Sequence, residues 1–345
     1  MTRLDAAAMA AARARHLRLA KPPGSLGRLE QLGVQLAGLA GACPPPVPEP
    51  AAVAVFAADH GVVSAGVTPW PQEVTAQMVA TICSGRAAIN ALARQVRARV
   101  VVVDVGVAAP SSALPPPPAL WHRRVADGSA DLSRGPALRS DQVDAALAVG
   151  REVAGALVRD GAGLLVTGEM GIGNTTAAAA VVAALTGQPA SACVGRGTGV
   201  DDATLVRKRD VVAGAVARLP AGAGGAQVLA EVGGLEIAAL AGFVAEGVAA
   251  RRPVLVDGVI ALAAVLAAED MEPGVAEGCV AGHRSAEPGA SVALDHLGLR
   301  PLLELELRLG EGTGACLAVP LVQAAARVLG EMATLDDAGV GEPPG

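Results

Sequence analysis

Short apolar runs recur along the middle of the chain and alternate with longer segments of helical periodicity. We predict strands at residues 52–57, 99–105, 162–167, 191–195 and 253–257, with a weaker one near 277–281. The helical segments lie near residues 73–94, 141–159, 175–186, 202–217, 234–246, 258–268 and 286–297. Apolar strands separated by helices are typical of a parallel sheet covered on both faces, because each crossover places a helix over the sheet. The pattern therefore predicts a doubly wound α/β fold with a mainly parallel sheet.

Both ends of the chain have a different, helical character. Residues 5–20 and roughly 28–40 suit two helices, and a proline-rich connector begins at Pro44. The last helical pattern, roughly 315–333, can return to pack on this N-terminal pair. This arrangement predicts a small discontinuous helical domain of residues 1–45 and 315–345, and a large α/β domain of residues 46–314.

Two stretches do not fit either pattern. The proline-rich residues 115–118 and the polar residues 121–140 are predicted to form a long surface excursion. Residues 338–345 are predicted to form a frayed tail.

Composition narrows the class of protein. Hydrophobic residues make up 52% of the 345 positions, yet there are only two Phe, two Trp and no Tyr, so small aliphatic residues must build a closely packed core. The net charge of −6 without a basic stripe argues against a nucleic-acid partner. The five Cys lack the spacing of zinc ligands and are odd in number, which argues against a disulfide framework. No uncharged apolar run of about 18 residues appears, so we expect a cytoplasmic protein without a membrane segment.

Residues 168–176 give the strongest local signal for a ligand site. Ligands of doubly wound sheets bind at the carboxyl ends of the strands. Here a glycine turn leads to Asn174, Thr175 and Thr176, which open an alanine-rich helix. Such a turn presents backbone N–H groups and a helix N-terminus to a phosphate monoester, although it can also be an ordinary turn with helix caps. It lacks the Lys of a P-loop, and Thr176 occupies the third Gly position of the dinucleotide fingerprint.

A second loop of small residues, 195–199, precedes a predicted helix that carries Lys208. Only Lys21 and Lys208 are lysines among the 27 basic residues. Lys208 can contact a phosphate as a point charge, or it can lie on a solvated helix face. We interpret Asp201 or Asp202 as the N-cap of this helix rather than as part of a metal-binding pair of acids.

A third loop, residues 307–315, places Glu311 between two glycines. A ligand can approach such a carboxylate closely and partly desolvate it, which suits a general base. The alternative is a turn carboxylate exposed to water, and Glu169 has the same two interpretations. The five His are dispersed along the chain, and each is interpreted as a structural or a surface residue.

Eight blocks in order resemble the nicotinate-nucleotide:dimethylbenzimidazole phosphoribosyltransferases of cobalamin biosynthesis. The blocks are residues 21–30, 58–62, 71–78, 168–176, 195–199, 231–236, 282–287 and 307–314. The resemblance implies transfer of the 5-phosphoribosyl group of nicotinate mononucleotide to a nitrogen of 5,6-dimethylbenzimidazole, with inversion at the anomeric carbon. The products are then α-ribazole 5′-phosphate and nicotinate. It also implies a Rossmann-like sheet, a small helical domain from both termini and a homodimer.

The resemblance also assigns site residues. It makes Glu311 the catalytic base and Glu169 the second carboxylate. The implied nucleotide and phosphate site consists of Gly171, Ile172, Gly173, Asn174, Thr175, Thr176, Gly197, Thr198, Gly199 and Lys208. The implied base-binding residues are Trp70, Pro71, Gln77, Met78 and Leu309. No metal or other cofactor is expected, because departure of nicotinate neutralises a cationic pyridinium and leaves no pyrophosphate to shield.

Other functions remain open from the sequence. A Rossmann-type oxidoreductase, an ATP-using enzyme or a non-catalytic nucleotide-binding regulator would share the fold and the glycine loops. A related phosphoribosyltransferase could act on another aromatic base or on a phenol. The sequence leaves unassigned the preferred base, the division of roles between Glu169 and Glu311, and the functions of Asp59, His60 and His283.

Overall fold

The computed structural model describes residues 4–339 and contains one six-stranded sheet. The strands are β1 (Ala51–Ala58), β2 (Arg99–Gly106), β3 (Leu120–His122), β4 (Leu164–Met170), β5 (Val254–Val256) and β6 (Cys279–Ala281). Their order is β3-β2-β1-β4-β5-β6, and every neighbouring pair is parallel. This is the Rossmann order, in which ligands bind where the strand order reverses, between β1 and β4. The predicted doubly wound, mainly parallel α/β fold is confirmed.

Helices cover both faces of the sheet. Within the described residues they are α1 (Ala6–Arg18), α2 (Arg28–Ala40), α3 (Val74–Cys83), α4 (Ala88–Gln95), α5 (Ser140–Arg159), α6 (Asn174–Thr186), α7 (Ala190–Cys193), α8 (Asp202–Val216), α9 (Gly225–Val232), α10 (Leu235–Ala249), α11 (Val259–Met271), α12 (Pro288–Leu297) and α13 (Thr313–Glu331). Alternate residues of β1 enter different cores: Phe56 packs with α5 and α10, and Val55 packs with α4 and α13. Both faces of the strand are therefore buried, which explains its continuous apolar sequence.

Small residues allow the close packing that the composition predicts. On α5, a Cβ at Gly150 would lie 1.8 Å from the backbone oxygen of Ala239. On α10, a Cβ at Gly242 would lie 2.0 Å from the backbone oxygen of Leu147. The two helix backbones thus touch at positions where any larger residue would force them apart.

The predicted strand at 191–195 is wrong. Pro189 is the N-cap of the short helix α7 there, and Cys193 and Val194 are buried in the core that α6, α8 and α12 share. A short apolar run buried among helices has the same sequence pattern as a buried strand, and the pattern does not distinguish them.

The predicted surface excursion at 121–140 is also wrong in part. It begins inside β3, which pairs with β2, and it contains the buried residues Leu132, Ala137 and Leu138. Helix α9 was not predicted. The helical window predicted at 73–94 divides into two helices, α3 and α4, around Gly85, whose φ is +77°. A left-handed residue of this kind ends a helix.

The N-terminal helices pack against the end of the last helix. Ala12 of α1, Val34 and Ala37 of α2 and Leu329 of α13 form one small apolar cluster. The first half of α13, including Ala315 and Val319, instead covers the sheet. The two-domain division thus stays a prediction, and most of the predicted tail, from residue 340 onward, lies outside the described residues.

Helix α13 is long and apolar enough to cross a membrane by length and composition alone. However, 56% of its most apolar window is buried inside the fold. In this structure it is a core helix.

Candidate active site

The loops at the carboxyl edge of the sheet enclose one cavity beside the β1–β4 crossover. Eight of the predicted site residues line it: Glu169, Gly171, Ile172, Asn174, Thr175, Gly197, Thr198 and Leu309. Segments after β5 and β6 complete the wall through Gly258, His283, Ser285 and Glu287. Parallel topology brings these distant segments to one edge, since every strand ends on the same side.

Lys208 does not line this cavity, but it contacts two residues that do, Thr175 and Gly197. Its side chain is buried, and its Nζ donates a hydrogen bond to Thr175 Oγ1 at 3.1 Å. A Cβ at Gly197 would lie 3.3 Å from the same nitrogen, so the two predicted phosphate loops meet at this ammonium. Burial lowers the pKa of Lys208, and the charge of Glu287 partly opposes that change. The solvated-face interpretation of Lys208 therefore does not hold.

The turn before α6 has the geometry expected of an anion site. Gly173 is the N-cap of α6 with a φ of +94°, a conformation that favours glycine. Ile172 N donates to Thr75 Oγ1 at 3.1 Å, which fixes the turn against α3. The N-terminus of α6 thus opens beside Thr175 and Lys208. In the next helix, Asp201 is the N-cap of α8 and accepts from Thr204 N, as its sequence position predicts.

Two residues that the sequence reasoning missed hold the second loop. Glu287 Oε1 accepts a hydrogen bond from Gly197 N at 2.7 Å, and Arg308 Nη1 donates to Gly197 O at 2.7 Å. The N–H and the C=O of Gly197 are thereby hydrogen-bonded to side chains from two different segments of the chain. Glu287 follows β6 and directly precedes Pro288 of α12, so the rule that ligands bind after strand ends could have singled it out.

The two predicted carboxylates, Glu169 and Glu311, are neighbours, and of the two only Glu169 lines the cavity. Glu311 N donates to Glu169 O at 3.3 Å, and both residues are buried. Glu169 Oε2 accepts from the side-chain amide of Asn174. A Cβ at Gly310 would lie 2.1 Å from Glu169 Oε1, so glycine is required there. The alternative of a water-exposed turn carboxylate does not hold for either residue.

Glu311 occupies an unusual backbone position. Its φ is +62°, between Gly310 at +87° and Gly312 at +88°. Left-handed backbone costs a non-glycine residue about 1–2 kcal/mol, and such strain concentrates at functional sites. The side chain reaches the start of α4, where Oε2 accepts from Ile89 N at 3.2 Å. The strained backbone at Glu311 therefore costs free energy of folding, and it holds this carboxylate in place.

Both carboxylates bind protons more tightly than ordinary glutamates. Burial, then the charges of Asp257 and Glu236, raises the pKa of Glu169 to about 8, against the opposing hydrogen bond from Asn174. Burial also raises the pKa of Glu311, and Asp257 adds to the effect, while the hydrogen bond from Ile89 N opposes it. A carboxylate with a raised pKa is the stronger base, which suits proton abstraction near neutral pH.

The raised pKa of Glu169 should make the free energy of unfolding depend on pH. Between the ordinary value of 4.5 and about 8, the folded protein retains a proton that the unfolded chain releases, so Glu169 lowers stability as pH rises through this window. Glu169→Gln removes that penalty. We expect its stability relative to the unsubstituted protein to improve with pH, by at most about 1.4 kcal/mol per pH unit. Urea unfolding at pH 5, 6.5 and 8 measures this, and a difference that stays constant across the three would contradict it.

The predicted base-binding residues are not gathered in one place. Leu309 lines the main cavity and is 59% exposed. Gln77 lines a separate cavity with Asp59, between α3 and the segment after β2. Trp70 is 48% exposed, Pro71 is also exposed and Met78 is half-buried, and none of the three lines the main cavity. Met170, which was not predicted, does line it.

Four predicted phosphate residues lie outside the cavity lining: Gly173, Thr176, Gly199 and Lys208. Gly173 caps α6 and Thr176 is buried beneath the first turn of that helix. Gly199 is exposed, and a Cβ there would contact nothing. Among the predicted phosphate residues, Thr175, Gly197 and Lys208 lie together.

Two histidines whose roles the sequence left open are paired with carboxylates. His60 Nε2 lies 2.7 Å from Glu236 Oε1, and His283 Nε2 lies 3.4 Å from Asp257 Oδ1. Asp257 Oδ1 also accepts from Ala315 N in the first turn of α13. Both pairs are buried, and His283 also lines the main cavity.

Comparison with known proteins shows similar sequences along nearly the whole chain. The family model described as phosphoribosyltransferase matches residues 1–340. A relative from Salinispora tropica is 55% identical and covers 98% of this chain and 96% of its own length. One from Thermus thermophilus is 51% identical, with coverage of 98% and 99%. Both are named nicotinate-nucleotide–dimethylbenzimidazole phosphoribosyltransferase.

A solved structure agrees closely with the fold. The crystal structure of CobT from Thermus thermophilus superposes with a TM-score of 0.94 at 50% identity, covering 98% of this chain and 100% of that one. The family resemblance inferred from the eight sequence blocks is confirmed. The chain belongs to the nicotinate-nucleotide–dimethylbenzimidazole phosphoribosyltransferase family.

Proposed function

We propose that this enzyme transfers the 5-phosphoribosyl group of nicotinate mononucleotide to 5,6-dimethylbenzimidazole, giving α-ribazole 5′-phosphate and nicotinate. One observation carries the proposal beyond family membership. One cavity is lined by Thr175, Gly197 and Glu169. The buried Lys208 contacts Thr175 beside a helix N-terminus, and the buried Glu311 is hydrogen-bonded to Glu169, so that both glutamates, each with a raised pKa, lie at or next to the cavity. The first set of groups suits a phosphate, and the second suits proton removal from an attacking base.

The proposed step balances without any group beyond the two substrates and the protein. The bond between C1′ and the pyridinium nitrogen breaks, and its electron pair stays on nicotinate. A lone pair on one benzimidazole nitrogen forms the new bond to C1′ from the opposite face, which inverts the anomeric carbon. The benzimidazole thereby becomes cationic, and its other N–H loses a proton to Glu311. The positive charge passes from the nicotinate ring to the benzimidazole ring. A carboxylate that stabilises this charge must therefore lie near the benzimidazole.

The two glutamates have different proposed roles. Glu311 is the proton acceptor. With a pKa of about 8, Glu169 retains its proton at neutral pH and acts as a hydrogen-bond donor toward the ribose or the base. The residues Trp70, Pro71, Gln77 and Met78 remain the proposed base-binding residues together with Leu309.

Product analysis tests the reaction. Nicotinate mononucleotide is incubated with dimethylbenzimidazole, adenine or a phenol in turn, and the products are separated and weighed by mass spectrometry. We expect α-ribazole 5′-phosphate to form fastest. Release of nicotinate without a glycosidic product would indicate a hydrolase. Saturable binding of NAD or ATP without transfer would favour the oxidoreductase, ATP-using or regulator alternatives.

A homodimer is part of the proposal, supported by family membership and by exposed apolar side chains such as Leu305 and Leu309, which are 54% and 59% exposed. We expect light scattering at micromolar concentration to give about twice the monomer mass of 33.9 kDa. A stable particle of the monomer mass would contradict this. A cytoplasmic location is likewise proposed, supported by the burial of α13 within the fold.

A further inference from the structure

A second cavity lies at the opposite edge of the sheet, where three of the strands begin. Its volume is about 410 Å³. It is lined by residues 46–49, which lead into β1, by Gly163 before β4, and by residues 250–253, which lead into β5. Leu36 and Leu39 of α2 also line it. Because the candidate active site is at the carboxyl ends of the same strands, the two cavities are separate.

Two consecutive arginines bring positive charge to this amino-edge cavity, and the first of them has a partner inside the protein. Arg251 has a φ of +55°, at a position after helix α10 that usually holds glycine. Its Nη1 donates a hydrogen bond to Leu39 O in the last turn of α2 at 3.1 Å. The guanidinium of Arg251 therefore satisfies a free carbonyl at the end of that helix.

The second arginine, Arg252, lines the same cavity and is half-buried. Its Nε is buried and has no hydrogen-bond partner within residues 4–339. One carboxylate of the described chain, Glu49, belongs to the lining, but it is paired with Arg327 at 2.8 Å. Buried donors in proteins are nearly always hydrogen-bonded. Arg252 is thus a cation in the cavity wall that lacks an anion among the described residues.

The rest of the lining defines the kind of anion that fits. The side chains of Leu36, Leu39 and Val47 are apolar, and Pro46 and Pro48 have no N–H group to offer. A guanidinium binds a carboxylate through two parallel hydrogen bonds, which would also satisfy Nε. One unpaired cation balances one negative charge, which favours a carboxylate over a doubly charged phosphate. Sites for small molecules have volumes of about 300–1,000 Å³, so the cavity can hold one small ring or short chain.

We propose that the amino-edge cavity binds a small organic acid, whose carboxylate pairs with Arg252 and whose apolar body lies against Leu36, Leu39 and Val47. The site shares no lining residue with the candidate active-site cavity. The inference therefore does not depend on the proposed transfer reaction.

A crystal soaked in benzoate tests where such an acid binds. Benzoate combines one carboxylate with an apolar ring. We expect electron density for it in the amino-edge cavity, with its carboxylate oxygens about 3 Å from the guanidinium nitrogens of Arg252. Absence of density at this place in crystals soaked at a saturating concentration would overturn the proposal.

Calorimetry measures the contribution of the charge. Arg252→Met retains much of the side-chain volume and should weaken benzoate binding about 10- to 150-fold. Arg97→Met is the matched control, because Arg97 also follows a helix with a positive φ of 53°, is exposed and does not line this cavity. It should bind benzoate as the unsubstituted protein does. Equal affinity in Arg252→Met and the unsubstituted protein would refute the pairing.

Two further titrations keep the proposal testable if Arg252→Met does not fold. Benzamide has the same ring without the charge, so the unsubstituted protein should bind it at least about tenfold more weakly than benzoate. Arg252→Lys keeps the charge but loses the planar pair of donors, and it should bind benzoate less tightly than the unsubstituted protein. Benzamide binding as tight as that of benzoate would show that the carboxylate is not recognised, and unchanged benzoate affinity in Arg252→Lys would rule out the paired hydrogen bonds.

Discussion

Glu311→Gln is expected to lower turnover by about 10²–10⁴-fold while leaving the binding of both substrates nearly unchanged. The amide retains the shape of the side chain and can still accept the hydrogen bond from Ile89 N. It cannot take a proton. Because the benzimidazole N–H becomes acidic only as the new bond to C1′ forms, the interaction matters mainly in the transition state. The effect should therefore appear in kcat and not in KM.

Glu306→Gln is the matched control for this substitution. Glu306 lies shortly before the same loop and also has a positive φ of 56°, but its side chain is exposed. It should retain normal turnover. Near-normal activity in Glu311→Gln would contradict the role of general base. Activity that a chelator abolishes and a divalent metal restores would contradict the metal-independent step.

The pH dependence provides a separate check on the same residue. Glu311 must be ionised to accept a proton, and its pKa is raised above the ordinary value. In a plot of kcat/KM against pH, activity should fall as the pH decreases, and the midpoint of this acidic limb should lie above pH 4.5. In Glu311→Gln the remaining activity should lose this limb. If Glu169→Gln proves the more damaging of the two substitutions, the two carboxylates exchange roles.

Lys208→Met is expected to raise the KM for nicotinate mononucleotide by about 10- to 150-fold, with little change in the binding of dimethylbenzimidazole. Loss of a hydrogen bond to a charged group costs about 1.5–3 kcal/mol. Methionine fills the volume of the buried side chain but cannot donate to Thr175 or to a phosphate. Steady-state kinetics with each substrate varied in turn measures the effect.

Arg207→Met is the control on the same helix. It also removes one positive charge, but from an exposed side chain that donates to Gly66 O. Its effect on nucleotide binding should be small, since exposed charges are screened by solvent and salt. Equal changes in both variants would show that Lys208 acts through general charge and not through a phosphate contact.

Local sequence chemistry was sufficient to find the core of the candidate site. The glycine turn before α6 and the rare Lys208 can each be recognised from a few neighbouring residues of the sequence. Glu287 and Arg308 were missed because their common partner, Gly197, is 90 residues from one and 111 from the other. Which loops meet depends on strand order, and periodicity alone does not give that order.

The errors in the fold prediction have the same origin. Residues 191–195 have the composition of a strand, but their neighbours in space are helices, and β4 already pairs with β1 and β5. The three residues of β3 are stabilised by their pairing with β2 rather than by their own sequence. Elements that bury long apolar faces were predicted well, whereas elements defined by long-range contacts were not.

Helix α13 runs from the loop of Glu311 to the two helices at the N-terminal end of the chain. It starts two residues after Glu311, and its far end packs against α1 and α2, about 28 Å away at 1.5 Å per residue. This one helix, which contains Pro320, thus connects the loop of the proposed general base to the terminal helices. Because α13 packs on the sheet near Glu311 and on α1 and α2 at its far end, a substitution that loosens the terminal cluster would weaken the support of the helix that follows this carboxylate.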